Sequence, residues 1–315
     1  MIDRIAELMG RALVGAWTFF APKHVSALRA RRAARPLTSE GVAPVAEKLA
    51  LDFAGLRSKT MLCVGAGGLG QAFAEPIVRA GVNLVVVDPD VVELSNLSRG
   101  RLGKGDVGKY KVLALADRLA RSAASGARIV GVPQDAEIFL QGRAFARLAP
   151  AVSLVVAAVD NDDTRDALQR WALEGTSEPV PFITGGLAHE EPFDTGYALL
   201  HMPGDGACFA CYRAAMPAPA EGEMRCADEV RVQPAVVDLC AASMADLALR
   251  VLDGRAGGPA SHLIHVGNGA SGETRRFAYA RPDCVCQRGQ ADTRKAVSKR
   301  PAESSPSANE TWRPL

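Results

Sequence analysis

The first residues whose types and spacing can do chemistry are Gly65, Gly67, Gly68 and Gly70, in the run Gly65-Ala66-Gly67-Gly68-Leu69-Gly70. An apolar run at 61–64 precedes them, and a helical pattern to about residue 80 follows. Glycines let a backbone approach phosphates closely, and a helix start offers free N–H groups with a partial positive charge. A second apolar run, 83–87, ends in Asp88, whose carboxylate at a strand end suits ribose hydroxyls. A glycine turn between strand and helix specifies no more than a nucleotide-binding Rossmann-type domain. Downstream, Arg99 and Lys111 supply cations, one as a planar fork and one as a point charge. Asp160 closes another apolar run and is suited to Mg²⁺, which takes one or two carboxylates together with phosphate oxygens. Taken singly, these residues have plainer readings: either aspartate can cap a helix or turn, and either cation can be solvated surface.

A second chemistry lies in the cysteines. Cys208-x-x-Cys211 and Cys284-x-Cys286 offer four thiolates, a set suited to a closed tetrahedral Zn²⁺ site of structural kind. The alternative is ordinary thiols. Cys63 and Cys240 fall within strand and helix patterns and read as core residues.

The elements that must position these groups follow from periodicity. Strands are expected near 60–64, 83–88, 128–132 and 152–159, with helices near 69–80, 108–121 and 137–147 between them. That alternation predicts an α/β, Rossmann-like, largely parallel sheet with helices on both faces. Asp160 then falls at the carboxyl edge, where open α/β sheets place ligands. A helix at 163–173 follows, then strands at 180–184 and 195–201 that continue the sheet antiparallel, and the cysteine knuckle. A long helix over 234–252 carries Ala241, Ala242 and Ser243, small residues that permit close packing. Strands near 262–266 and 273–279 lead to the last cysteines, and the polar stretch 287–315 reads as a disordered tail.

The run Asp88-Pro89-Asp90-Val91-Val92-Glu93-Leu94-Ser95-Asn96-Leu97-Ser98-Arg99 resembles the DxDxVxxSNLxR signature of the ThiF/MoeB/HesA family, the ubiquitin-activating-type adenylyltransferases. Asp106-Val107-Gly108-Lys109-Tyr110-Lys111, Val159-Asp160-Asn161 with Thr164-Arg165, and Cys208-Phe209-Ala210-Cys211 extend the match in order. The resemblance implies Gly68 against the nucleotide, Asp88 on the ribose, Asn96, Arg99 and Lys111 on the phosphates, and Asp160 as the metal-linked aspartate. It also implies ATP, Mg²⁺ and Zn²⁺ as cofactors and a frequent homodimer. Cys226 stands where thioester- or persulfide-forming members carry a reactive cysteine; an inert loop thiol is the other reading. Two departures stand out: Gly100, where a Gln often follows the Arg, and the C-x-C second half of the zinc set.

The implied organisation is an N-terminal helical arm over 1–50, an adenylation domain over 51–286, and the tail. Within that domain the nucleotide half ends near 175 and a partner and zinc half begins at 176. The arm holds Arg29, Arg31, Arg32 and Arg35, a solvated face or the source of an arginine for ATP. The implied activity is adenylation of the C-terminal carboxylate of a small ubiquitin-like (β-grasp) protein ending in Gly-Gly. Pyrophosphate leaves, and the protein then passes to a sulfur acceptor or a conjugating enzyme. A tRNA base or a peptide as substrate, or an NAD-dependent oxidoreductase, are the alternatives.

Composition bounds these readings. With 315 residues, 48% of them hydrophobic, the chain can bury a large core. A net charge of +2 gives no argument for nucleic acid or an acidic membrane. The apolar stretch 148–159 is too short to span a bilayer. Seven cysteines, an odd number, fit metal binding or a reactive thiol better than a secreted disulfide framework. Residues 12–21 are apolar, but Asp3 and Glu7 make a poor signal n-region, and Ile2, Ile5, Leu8, Met9 and Leu13 repeat at helical spacing. An amphipathic helix and a cytoplasmic protein are the expectation.

Overall fold

The computed structural model describes residues 54–124, 126–175, 178–190, 193–215, 232–254, 261–267, 273–276, 281 and 283–287. The N-terminal arm, the loop holding Cys226 and residues 288–315 lie outside the described residues.

Eight strands form one sheet: β1 (Thr60–Val64), β2 (Asn83–Val87), β3 (Ile129–Val132), β4 (Val152–Ala157), β5 (Phe182–Glu190), β6 (Phe193–His201), β7 (His262–Gly267) and β8 (Glu273–Arg276). Their order is β3-β2-β1-β4-β5-β6-β7-β8. The first five are parallel, and β5 onward pair antiparallel. Chain order therefore reverses at β1 and β4, and such a switch point opens a crevice at the strands' carboxyl ends.

Continuous apolar runs suit strands buried on both faces, and β1 shows why. Met61 and Cys63 face one core with Leu84, Val86 and Leu154, beneath α1 (Gly68–Arg79) and the long helix Pro234–Asp253. Leu62 and Val64 face the other, with Val85, Val155, Phe139 and Phe145. A register slip of one residue would exchange the two sets. Phe73 of α1 is fully buried, a burial that contributes about 2–3 kcal/mol.

The remaining α-helices among the described residues are α2 (Lys111–Leu119), α3 (Ala136–Gln141), α4 (Arg143–Leu148), α5 (Asp162–Glu174), α6 (Phe209–Ala215) and α7 (Pro234–Asp253). Four expectations need correction. The helix over 108–121 begins at Lys111, because Gly108 has φ +85° and Tyr110 bridges to Val91. The helix over 137–147 is two helices, interrupted at Gly142, whose ψ of 153° is extended. On α7, Ala241, Ala245 and Ala248 make the close packing, whereas Ala242 is exposed, since only the former recur at helical spacing. Pro234 at the first position and left-handed Gly254 after the last bound that helix as its sequence directs. A final 3-10 turn, Val285–Gln287, includes Gln287, assigned by composition to the tail; its Nε2 donates to Gly206 O at 3.3 Å. No described helix is long and apolar enough to cross a membrane.

Candidate functional site

The crevice at the switch point holds a cavity of about 630 Å³. Its walls include Gly65, Gly67, Gly68, Asp88, Asn96, Arg99, Lys111 and Asp160. Of the sequence-predicted nucleotide residues, Gly70 does not line it.

The glycine turn has a steric reason at each end. Gly65 has φ +100°, and a Cβ there would lie 2.3 Å from the Ala158 carbonyl oxygen. A Cβ on Gly70 would lie 2.1 Å from the Gly65 carbonyl oxygen, so Gly70 closes the turn from inside the first helical turn. Gly68 leaves room for the Arg99 backbone, whose oxygen would sit 2.7 Å from a Cβ. At Gly67 a Cβ would meet nothing within 4 Å, which leaves the turn open toward the cavity.

Asp88 stands at the end of β2 and is 8% exposed. One carboxylate oxygen accepts from Ala66 N at 2.7 Å and the other from Asp90 N at 2.9 Å. Burial holds its carboxyl above the usual range, against these two hydrogen bonds and the charge of Lys111. Each oxygen keeps acceptor capacity for a further donor such as a ribose hydroxyl. Asp88 therefore caps the turn that follows it, the plainer reading open from sequence, and also fixes the shape of the glycine turn.

Lys111 opens α2, and its Nζ lies 2.7 Å from Asp90 Oδ2. The lysine side chain is 11% exposed and the aspartate 62%, so the ammonium is held at the cavity wall by a partner that reaches water. Asn96 accepts from Glu93 N at 3.2 Å through its Oδ1 and shapes the 3-10 turn Leu94–Ser98, which ends at Arg99. Asp160 lies exposed just beyond β4, and Asn161 caps α5 by accepting from Thr164 N at 2.8 Å.

Two buried side chains shape the site without having been given a role from sequence: Arg165, quoted only as part of the motif match, and Gln71, not named at all. Arg165 is 7% exposed: Nη1 donates to Asp162 Oδ1 at 2.8 Å, and Nη2 donates to the carbonyls of Val159 and Gly185, the latter at 3.2 Å. It thus ties the chain leaving β4, next to Asp160, to β5. Its guanidinium also stands 5.8 Å from the centre of the Phe209 ring. Gln71 is 2% exposed and bonds both the glycine turn and the loop after Arg99. The motif match already carries Arg165, and its place in the first turns after β4 was the signal for a role there; nothing in the pattern marks Gln71.

Away from the cavity, Cys208, Cys211, Cys284 and Cys286 come together, with sulfurs all within 4.8 Å of one another. The separations are 3.8 Å for 208–211, 3.5 Å for 208–284 and 3.7 Å for 211–286. A tetrahedron of Zn–S bonds near 2.3 Å requires sulfurs about 3.8 Å apart, so the set fits zinc. All four residues are buried, which leaves no open position for a reacting group. Cys63 and Cys240 are core thiols, and burial pushes both up to about 12. The position of Cys226 lies outside the described residues.

A sulfur carrier protein ThiS adenylyltransferase of Bacillus subtilis is 29% identical over 232 residues, covering 73% of this chain and 65% of that protein. A ubiquitin-like modifier-activating enzyme 5 of Bombyx mori is 30% identical over 171 residues, covering 50% of this chain and 40% of that protein. The chain thus spans less than two thirds of the length of these relatives. Among solved structures, E. coli MccB with ATP superposes with a TM-score of 0.56 at 16% identity, covering 74% of this chain and 68% of that one. That likeness establishes the fold. The ThiF family profile matches residues 45–287, a span that takes in both the glycine-turn cavity and the cysteine cluster, and the chain belongs to the ThiF family.

Proposed function

We propose that the protein adenylates the C-terminal carboxylate of a small ubiquitin-like or sulfur-carrier protein with a Gly-Gly end, using ATP. The observation that carries this reading is the meeting of Gly65–Gly68, Asp88, Asn96, Arg99, Lys111 and Asp160 around one cavity. The relatives named as activating ThiS and ubiquitin-like modifiers support it.

In this reading the turn's N–H groups and the start of α1 hold the phosphates, and Asp88 accepts from the ribose. A carboxylate oxygen of the partner attacks the α-phosphorus, the bond to the bridging oxygen breaks, and pyrophosphate leaves with its charge. No proton moves, so the protein's task is positioning and charge stabilisation. Arg99 and Lys111 face the growing charge on the leaving pyrophosphate. Asp160 would hold Mg²⁺, which neutralises phosphate charge. The four buried cysteines would hold a structural Zn²⁺ that ties the knuckle to the chain's last turn. We assign the next step to Cys226. Its thiolate attacks the acyl carbon, the bond to AMP breaks and AMP leaves, while the thiol's proton goes to water. The resulting thioester passes the protein to a sulfur acceptor or conjugating enzyme.

An oxidoreductase would use the same turn and Asp88 but has no need of Arg99, Lys111 and Asp160 together. ATP–pyrophosphate exchange with Mg²⁺ tests the proposal, with Gly-Gly-tailed proteins of the same genome as substrates and a tRNA and a peptide as comparison arms. Exchange that depends on the ubiquitin-like protein is expected. Exchange driven only by the tRNA or the peptide, or nicotinamide binding without exchange, would overturn it.

A further inference from the structure

The glycine turn and the loop that carries Arg99 are separate pieces of chain, and one buried side chain joins them. Gln71 Nε2 donates to the Ala66 carbonyl at 2.8 Å, inside the turn. Its Oε1 accepts from Arg101 N at 2.6 Å and Leu102 N at 3.3 Å, immediately after Arg99. Glycine at 100 leaves room for the carboxamide in this position: a Cβ there would lie 2.6 Å from Gln71 Oε1 and 3.2 Å from the Asn96 carbonyl oxygen. The same loop presses on Gly68, and Gln71 itself borders the cavity.

Another buried carboxamide, that of Asn83, shows the contrast. Asn83 donates to the Arg57 and Lys59 carbonyls and accepts from Arg128 N, all at the sheet's amino edge, far from the cavity. Its work is finished within the fold. Gln71 instead connects two segments that both face the nucleotide cavity. The side chain of Arg101 is also tied to Asp238 of α7 at 2.6 Å, so two anchors hold the chain just after Arg99.

We propose that Gln71 is a positioning residue: through the backbone of residues 101 and 102 it seats Arg99 against the glycine turn, in register with the phosphates of ATP, and Gly100 is glycine to admit it. The inference rests on the nucleotide reading above. A buried carboxamide that only satisfied nearby backbone groups would affect stability and leave the action of Arg99 intact.

The test is equilibrium binding of ATP with Mg²⁺ to the full chain, as wild type, Gln71→Ala, Arg99→Ala and the double variant, each shown folded by circular dichroism. Gln71→Ala and Arg99→Ala are each expected to weaken binding at least about tenfold. The double variant is expected to bind no more weakly than Arg99→Ala alone, because residues acting as a unit are non-additive. Gly100→Ala, which intrudes on the carboxamide without removing it, should reproduce the loss and serves if Gln71→Ala does not fold. Wild-type affinity in Gln71→Ala, or additive losses in the double variant, would overturn the inference. A wild-type chain that binds no ATP would instead bring down the nucleotide reading itself.

Discussion

Arg165 offers the sharpest quantitative prediction. Replacing it with Met keeps much of the stem's volume but removes the donors to the Val159 and Gly185 carbonyls. Each buried acceptor that loses its partner costs about 1–3 kcal/mol, so the pair accounts for roughly 2–6 kcal/mol. Asp162 contributes little, because its side chain is 46% exposed and its charge returns to water. Among the described residues the buried Nε–H of Arg165 has no hydrogen-bond partner, and its removal offsets part of the loss. A net destabilisation of about 3 kcal/mol is expected, a large share of the roughly 5–15 kcal/mol typical of a domain. Urea unfolding should show a lower midpoint at unchanged slope. Arg165→Lys should recover no more than about half, since a point charge cannot hold both carbonyls and Asp162 as a planar fork does. A loss below about 0.5 kcal/mol in Arg165→Met would refute the reasoning, because surface substitutions already fall within that range.

Other consequences follow from the cysteines. Purified protein should carry Zn²⁺, and Cys284→Ser should release it and lower the melting temperature, read by metal analysis beside calorimetry; undiminished zinc would contradict the tetrahedral assignment. Cys63 and Cys240, pushed up to about 12 by burial, stay protonated at pH 8, so iodoacetamide should leave both unmodified in the folded chain by mass spectrometry. Modification of either at a rate like that of the unfolded chain would show that the core there opens readily.

Much of this architecture was legible because its signals are local. The strands β1 and β2 and the helix between them follow from apolar runs and a glycine turn written in six consecutive residues, although the contacts that require Gly65 and Gly68 come from Ala158 and Arg99. The cysteine set was legible for another reason: paired thiols at short spacing carry their chemistry in their identity. Cys208 and Cys284 are 76 positions apart, and only residue type joins them before the fold does. What local pattern misses is the stapling between segments. Gln71 looks like any helix former until the loop at 99–102 lies over it, and the Arg101–Asp238 pair spans 137 positions. The break at Gly142 shows the same limit. A lone glycine in an apolar-periodic stretch is compatible with one helix, and only packing of Phe139 against Phe145, ring centres 5.3 Å apart, requires two.

The central claim is that the cavity activates a carboxylate at the expense of ATP. Pyrophosphate exchange in wild type beside Asp160→Ala and Cys226→Ala tests it most directly. The account predicts exchange that requires a Gly-Gly-tailed protein, falls at least about 100-fold in Asp160→Ala through lost charge stabilisation, and persists in Cys226→Ala. Full exchange in Asp160→Ala, or none in wild type with any such protein, would contradict it.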